Sequence, residues 1–221
     1  MFQVLNQGQD WLALHKPAGI NIHSEDNEAG FVVLASQQLG QPLWPVHRLD
    51  KVTSGILLLA TSAAGAARLG NLFAAQKIHK VYLAQSGFKP KKKQGWIKGD
   101  MEKGRNGSWL LKRSMNNPAI TYFTSHYDEN LKKRLFILEP QTGKTHQLRV
   151  AMKSLGAPID GDIRYGGIDS DRTYLHAYRL AWEDEPVQEK VCITCPPSSG
   201  QWSTELGQAL ALSTQGSQLT V

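Results

Sequence analysis

Apolar positions along the chain form short strand-like runs separated by a few helix-like stretches. The runs predict strands at residues 11–15, 56–60, 80–86, 119–127, 134–139, 176–182 and 191–194. Spacings of three and four predict helices at residues 31–39, from Thr61 or Ser62 to about Gln76, and from Thr145 to about Ser154. Many strands with few, non-alternating helices predict an α+β fold around a mixed, mostly antiparallel β-sheet with flanking helices and loops.

No internal repeat and no Ser/Gly/Pro-rich linker divides the 221 residues. We therefore predict a single domain, 1–221, because a chain of this length can bury most of its surface in one core. Its tail, residues 201–221, carries a short helical pattern followed by Ser, Gln and Thr, and we expect it to be partly flexible.

The apolar runs also limit where the protein can reside. The longest unbroken run, residues 56–60, is far shorter than the 20 or so residues that span a membrane, and the start has no secretory pattern. Two cysteines cannot build a disulfide framework. We expect a cytoplasmic protein that makes no membrane contact.

Charge is concentrated in the middle of the chain. The formal net charge is +6, yet residues 77–113 alone hold eleven Lys and Arg against two acidic residues. Such a segment indicates a polyanionic partner, nucleic acid first, although a solvated basic loop gives the same composition.

Two short motifs fail as cofactor or metal sites. Residues 141–145 resemble part of a phosphate-binding loop but lack its first glycine, since position 138 is Leu. Cys192 and Cys195 have the spacing of zinc ligands without a second pair, and their apolar setting favours a strand.

Residues 45–55 are the strongest candidate for chemistry. Asp50 lies between Arg48 and Lys51, just before a buried strand, where a carboxylate can act as nucleophile or general base. It can equally cap a turn. Arg149, early on a helix and off its apolar stripe, can keep Asp50 ionised or lie on the surface. Tyr82, on the same strand face as Lys80, can stack on a nucleobase or pack in the sheet.

Five segments together resemble RNA pseudouridine synthases of the RluA type. They are KPAG at 16–19, HRLDKVTSGILLLA at 47–60, KVYLA at 80–84, TGKTHQLR at 142–149 and GAPIDGDIRYG at 156–166, followed by LHA at 175–177. The resemblance covers residues 12–180. It departs at Ala151, where family members often have His, and we expect no S4-like RNA-binding module before the first strand near Trp11.

The resemblance implies a pseudouridine-synthase-like fold and an isomerase that flips a uridine of tRNA or rRNA out of its stack. It implies that Asp50 is the catalytic carboxylate, as nucleophile or in a glycal route, that Tyr82 stacks on the uracil, and that Arg149 holds Asp50 ionised. Leu148 would line the base pocket and Arg48 would fill the gap left by the flipped uridine. The predicted RNA-binding residues on the basic segment are Lys80, Lys91, Lys92 and Lys93.

No cofactor or metal is expected, because breaking C1′–N1 and forming C1′–C5 is an isomerisation. We expect a monomer whose partner is RNA. Two alternatives remain open: a non-catalytic RNA-binding or RNA-folding protein on the same scaffold, and a hydrolase that releases free uracil.

Overall fold

The structure, a computed structural model, describes residues 2–25, 27–184 and 188–203. The chain forms two compact units. The first unit comprises Met1–Lys80 and His176–Pro197, and the second comprises Val81–Leu175 and Ser198–Val221. The predicted assignment of 1–221 to one domain stays a prediction.

The first unit is built on strands in the order β1-β2-β4-β10, with β3 paired to β4 and β11 paired to β10. Its strands are β1 (Val4–Gly8), β2 (Trp11–Lys16), β3 (Trp44–Pro45), β4 (Ser54–Ala60), β10 (Leu175–Asp184, from His176 on) and β11 (Glu189–Thr194). Its helices are α1 (Phe31–Leu39) and α2 (Ala63–Ala74). Among the described residues of this unit, β4 and β10 run parallel, and the pairs β1–β2, β2–β4, β3–β4 and β10–β11 are antiparallel.

Strand β4 is the centre of this unit's core, because every one of its residues is buried. Apolar side chains from β2, α2, β10 and β11 pack around it, including Trp11, Leu69 and Trp182. Asp184 is buried beside this core and accepts a hydrogen bond from the Trp11 indole at 2.8 Å, while Arg68 forms an ion pair with it. The charge is thus paired where burial alone would disfavour it.

The second unit is an antiparallel series of strands in the order β5-β9-β8-β6-β7. Its elements are β5 (His79–Ser86, from Val81 on), β6 (Gln94–Lys103), β7 (Trp109–Leu111), β8 (Pro118–Asp128), β9 (Lys133–Pro140), α3 (Gln147–Ser154) and a 3-10 helix (Ile163–Tyr165). Phe123 and Phe136 lie side by side in its core, with ring centroids 6.1 Å apart.

The predicted α+β class with mostly antiparallel strands is confirmed, and each predicted strand and helix is present. Ser62 caps α2 through its hydroxyl, as one of the two predicted capping residues. Two details differ. Strand β1 precedes the strand predicted as first, and α3 begins at Gln147 with His146 as its N-cap, not at Thr145. Most of the predicted flexible tail, residues 204–221, lies outside the described residues.

No helix among the described residues is long and apolar enough to cross a membrane. In the same part of the chain, no group of three or more His, Cys, Asp or Glu side chains is placed to hold a metal ion. Cys192 lies on β11 as the sequence indicated, and Cys195 follows it, buried; both are free thiols.

Candidate functional site

Asp50 lies in the loop between β3 and β4 of the first unit. Arg48 is exposed, Leu49 is buried, and Asp50 is half-buried, so the loop is anchored by its leucine and presents charge on either side of it. The Thr53 N–H donates to the Asp50 carbonyl at 2.9 Å, which closes a turn directly after the carboxylate.

The Lys16 side chain donates hydrogen bonds to the backbone of this turn. It is fully buried, and its ammonium donates to the carbonyls of Pro17 and Thr53 at 2.9 Å and of Lys51 at 3.4 Å. The Gly19 N–H also donates to the Lys51 carbonyl, at 2.7 Å. The early Lys-Pro-Ala-Gly turn and the Asp50 loop therefore form one hydrogen-bonded assembly, a role that the sequence did not reveal for Lys16.

His47 attaches the other end of the loop to β4. Its Nε2 accepts a hydrogen bond from the Leu58 N–H at 2.9 Å, and its ring stacks on Phe73 at 4.6 Å with an interplanar angle of 19°. Burial, and after it the positive charge of Lys80, lowers the pKa of His47 from 6.5 to about 3. The bond to Leu58 requires an unprotonated Nε2, which agrees with that direction.

Replacing His47 with Gln should flatten the pH dependence of stability below neutral pH. Above pH 6.5 the imidazole is neutral in both states; below it the unfolded chain binds a proton that the folded chain does not. Stability then falls as the pH drops from 6.5 toward 3, by up to about 1.4 kcal/mol per pH unit from this group. Urea unfolding of wild type and His47→Gln between pH 4 and 8 measures the difference.

The matched control is His23→Gln, because His23 is exposed. Parallel pH profiles for wild type and His47→Gln would contradict the assignment of a neutral, half-buried His47.

Ser54 and Gly55 fix the start of β4 against β10. The Ser54 hydroxyl lies 2.8 Å from Nδ1 of buried His176, whose Nε2 donates to the Cys195 carbonyl at 2.7 Å. Gly55 has φ +112°, and a Cβ there would lie 2.2 Å from the Ala177 carbonyl oxygen. Only glycine fits this close approach, so Ser54 and Gly55 fix the position at which the Asp50 loop joins β4.

Strand β5 carries Lys80 and Tyr82. Residues 80–86 are all buried. Tyr82 is 8% exposed and pairs with Leu138 on β9. Burial lowers the pKa of Lys80. The predicted roles of both residues in binding stay predictions.

Arg149 is buried on α3, not at the surface. Its Nε and Nη2 donate to the two carboxylate oxygens of Asp162, each at 2.8 Å. This two-point geometry orients the guanidinium plane, and it uses two of the five N–H donors of the arginine. Asp162, which precedes the 3-10 helix, is 2% exposed and was not singled out from the sequence, although it lies in the segment 156–166.

Tyr165 lies against the same guanidinium. The Arg149 carbon Cζ is 4.9 Å from the centre of its ring, and the tyrosine is 1% exposed. Its hydroxyl accepts a hydrogen bond from the backbone N–H of Trp109 at 3.0 Å and lies 2.8 Å from Nδ1 of His146. Arg149, Asp162 and Tyr165, with His146, form a cluster that we call the Arg149 cluster.

Gln147, at the first turn of α3, bonds to the loop before the helix and to β8 through its side-chain amide. Its Oε1 accepts the Lys144 N–H at 3.0 Å and lies 2.8 Å from the Thr142 hydroxyl. Its Nε2 donates to the Ile120 carbonyl at 3.1 Å. The buried amide thus joins α3 to β8, and it positions Leu148, which is 8% exposed on the same helix turn.

The basic segment includes the loop before β6 and the β6–β7 hairpin. Lys91, Lys92 and Lys93 are exposed. Lys91 donates to the Ser154 carbonyl at 3.2 Å, where a cation suits the C-terminal end of α3, and Lys92 donates to the Trp96 carbonyl. Two of the three lysines therefore have local structural partners as well as access to solvent.

Sequence comparison defines the class to which these loops and clusters belong. A family model described as RNA pseudouridylate synthase matches residues 10–154, about two thirds of the chain. The chain belongs to the RNA pseudouridine synthase family.

Particular relatives share most of their length with it. An "Uncharacterized RNA pseudouridine synthase" of Haemophilus influenzae is 53% identical over 204 residues, covering 90% of this chain and 89% of the relative. The "tRNA pseudouridine synthase C" of Vibrio vulnificus is 29% identical, covering 87% and 89%. A solved structure of Human RNA Pseudouridylate Synthase Domain Containing 4 is similar, with a TM-score of 0.70, 26% identity and 88% of each chain covered.

The family assignment and the pseudouridine-synthase-like fold are thereby confirmed. The chain is an RNA pseudouridine synthase, an isomerase.

Proposed function

We propose that this synthase converts a uridine of tRNA or rRNA into pseudouridine, with Asp50 as its essential carboxylate. The observation that carries the proposal is the construction of the Asp50 loop. A half-buried carboxylate is held at a fixed position by a turn whose carbonyls bind the buried ammonium of Lys16. A reacting group needs such fixed geometry, whereas a turn-capping Asp does not need a buried cation under its own backbone.

The reaction requires balanced bond changes in one nucleotide. The C1′–N1 bond breaks, the uracil rotates, C1′ bonds to C5, the C5 proton leaves and N1 gains a proton. Asp50 assists the cleavage, as a nucleophile at C1′ or by promoting a glycal-like intermediate, and in either case it acts as the carboxylate.

The remaining site residues have supporting roles in this proposal. Arg149 orients the catalytic carboxylate, the role that the resemblance implies, since a guanidinium presents its donors in a fixed planar geometry. Tyr82 stacks on the target uracil and Leu148 lines its pocket. Arg48, exposed beside Asp50, enters the RNA stack in place of the flipped uridine. The two-point bond of Arg149 to Asp162 supports its role, because it fixes the guanidinium in one orientation.

Tritium release tests the proposed function directly. Total tRNA and large rRNA, labelled with tritium at uracil C5 in cells that lack the protein, are incubated with the purified chain. We expect tritium release from one RNA class, matched by pseudouridine in the digested product. Bound RNA without any release would favour the non-catalytic alternative, and free uracil would favour the hydrolase.

Replacing Lys91, Lys92 and Lys93 together with Ala should weaken RNA binding and its salt dependence. If each lysine neutralises one phosphate, the slope of log K against log salt becomes shallower by about 2. Filter binding at several salt concentrations measures both quantities. The control is Lys132→Ala/Lys190→Ala, two exposed lysines outside the basic segment. An equal effect per lysine in the control would mean that the three act only through net charge.

A further inference from the structure

Strands β6 and β8 expose a pair of aromatic rings that the proposed chemistry does not use. Trp96 on β6 lies opposite Tyr122 on β8, with ring centroids 5.1 Å apart and an interplanar angle of 58°. Trp96 is 39% exposed, whereas the next residues along the two strands, Ile97 and Phe123, are buried. The strand alternation therefore places a large aromatic side chain on the outer face of this strand pair.

A cation accompanies the exposed ring. The Lys98 ammonium lies 4.9 Å from the centre of the Trp96 ring. The Lys92 ammonium donates to the Trp96 main-chain carbonyl and lies near the Phe123 ring instead. Two acidic residues lie nearby in sequence or register. Asp100 accepts the N–H groups of Asn116 and Asn117, and Glu139 lies opposite Tyr122 on β9.

The charge of the surrounding segment selects the class of partner. Residues 77–113 hold eleven Lys and Arg and two acidic residues. This charge favours an anionic partner over a protein surface that is neutral or has few acidic residues. An exposed ring that stacks and adjacent ammonium groups that neutralise phosphate are the combination that binds unpaired nucleotides.

This aromatic face is separate from the face of β8 that contacts α3. Gln147 at the start of α3 donates to the Thr121 hydroxyl at 3.1 Å, and Thr121 alternates with Tyr122 along β8. The rings of Trp96 and Tyr122 thus lie on the opposite side of the strands from Gln147. A nucleotide on Trp96 is a different nucleotide from one in the Leu148 pocket.

We propose that Trp96, supported by Tyr122 and Lys98, is a stacking platform for an unpaired nucleobase of the substrate RNA, away from the uridine that is modified. This inference rests on the proposed function for the identity of the ligand. It adds a specificity requirement: the substrate presents a second unpaired nucleotide in addition to its target uridine.

Three variants test the platform. Trp96→Ala should raise the Kd for a tRNA or rRNA stem-loop substrate about tenfold, as expected for the loss of one stacked base, while Trp96→Phe should restore most of the affinity. The salt slope should stay the same in Trp96→Ala, because stacking releases no counterions, and fall by about 0.7 in Lys98→Ala. Fluorescence anisotropy with labelled RNA at several salt concentrations gives all three values.

The matched control is Phe88→Ala, because Phe88 has the same 39% exposure and lies in the same basic segment. A fully paired duplex is the control ligand, and its affinity should not change in Trp96→Ala. Wild-type affinity in Trp96→Ala, an equal loss in Phe88→Ala, or an equal loss for the duplex would each overturn the platform.

The test separates the platform from the proposed catalysis. A tenfold loss of affinity in Trp96→Ala without any tritium release by wild type would retain the platform and reject the activity. Pseudouridine formation by wild type, with unaltered RNA binding by Trp96→Ala, would retain the activity and reject the platform.

Discussion

Substitution of Asp50 by Asn should lower pseudouridine formation by at least about 1,000-fold while RNA binding persists. The carboxamide has nearly the same shape, so the turn closed by Thr53 and the bonds of Lys16 to the loop remain. It carries no negative charge and is a poor nucleophile, so either proposed route loses its reacting group. Single-turnover tritium release measures the chemistry, and filter binding measures the RNA affinity.

A carboxylate away from the loop provides the control. Asp169→Asn removes one negative charge at an exposed position and should retain wild-type turnover. If Asp50→Asn kept more than a few per cent of the wild-type rate, the proposed role of Asp50 would be wrong. If it lost RNA binding as well, the carboxylate would be a structural element of the loop.

The elements that the sequence predicts well are those with local causes. Strand β4 contains the continuous apolar run 56–60 and is buried on both faces, and α2 has a capping Ser62 followed by helix-forming residues. Helix α1 ends at Gly40, which adopts the left-handed conformation that glycine permits. In each case neighbours within a few positions determine the structure, so no knowledge of distant contacts is needed.

Elements with long-range causes are predicted less well. Strand β1 has mostly exposed residues and no apolar pattern, and it becomes a strand through pairing with β2. Strand β6 includes Gly99, which propensity disfavours in a strand. There a Cβ would lie 2.1 Å from the Lys112 carbonyl, so the close approach of the returning chain requires glycine.

The same difference between local and long-range causes applies to the residues of the candidate site. Family motifs identify Asp50, Tyr82 and Arg149, because those residues stand in recognisable strings. The residues that hold them are separated from their partners by many positions: Lys16 bonds Thr53, 37 residues away, and Arg149 bonds Asp162, 13 residues away. From the sequence alone a charged residue is expected at the surface, because the partner that permits its burial is known only from the fold.

The Arg149–Asp162 pair should therefore be costly to break and strongly non-additive. Asp162→Ala removes the two carboxylate acceptors from a guanidinium that is 5% exposed, and we expect a loss of about 3–5 kcal/mol in the free energy of unfolding. Misorientation of Arg149 should also slow pseudouridine formation by about 100-fold. Urea unfolding and single-turnover tritium release measure the two effects.

A double-mutant cycle distinguishes a specific pair from general damage to the second unit. Arg149→Met/Asp162→Ala should lower the free energy of unfolding by at least about 1 kcal/mol less than the sum of the single variants. The double variant lacks both charges, so neither is left buried without its partner. Asp171→Ala, an exposed carboxylate in the same unit, should change stability by less than about 0.5 kcal/mol. Additive costs within 0.5 kcal/mol would show that Asp162 does not hold Arg149. The orientation of the guanidinium would then depend on the Tyr165 ring, which lies against it.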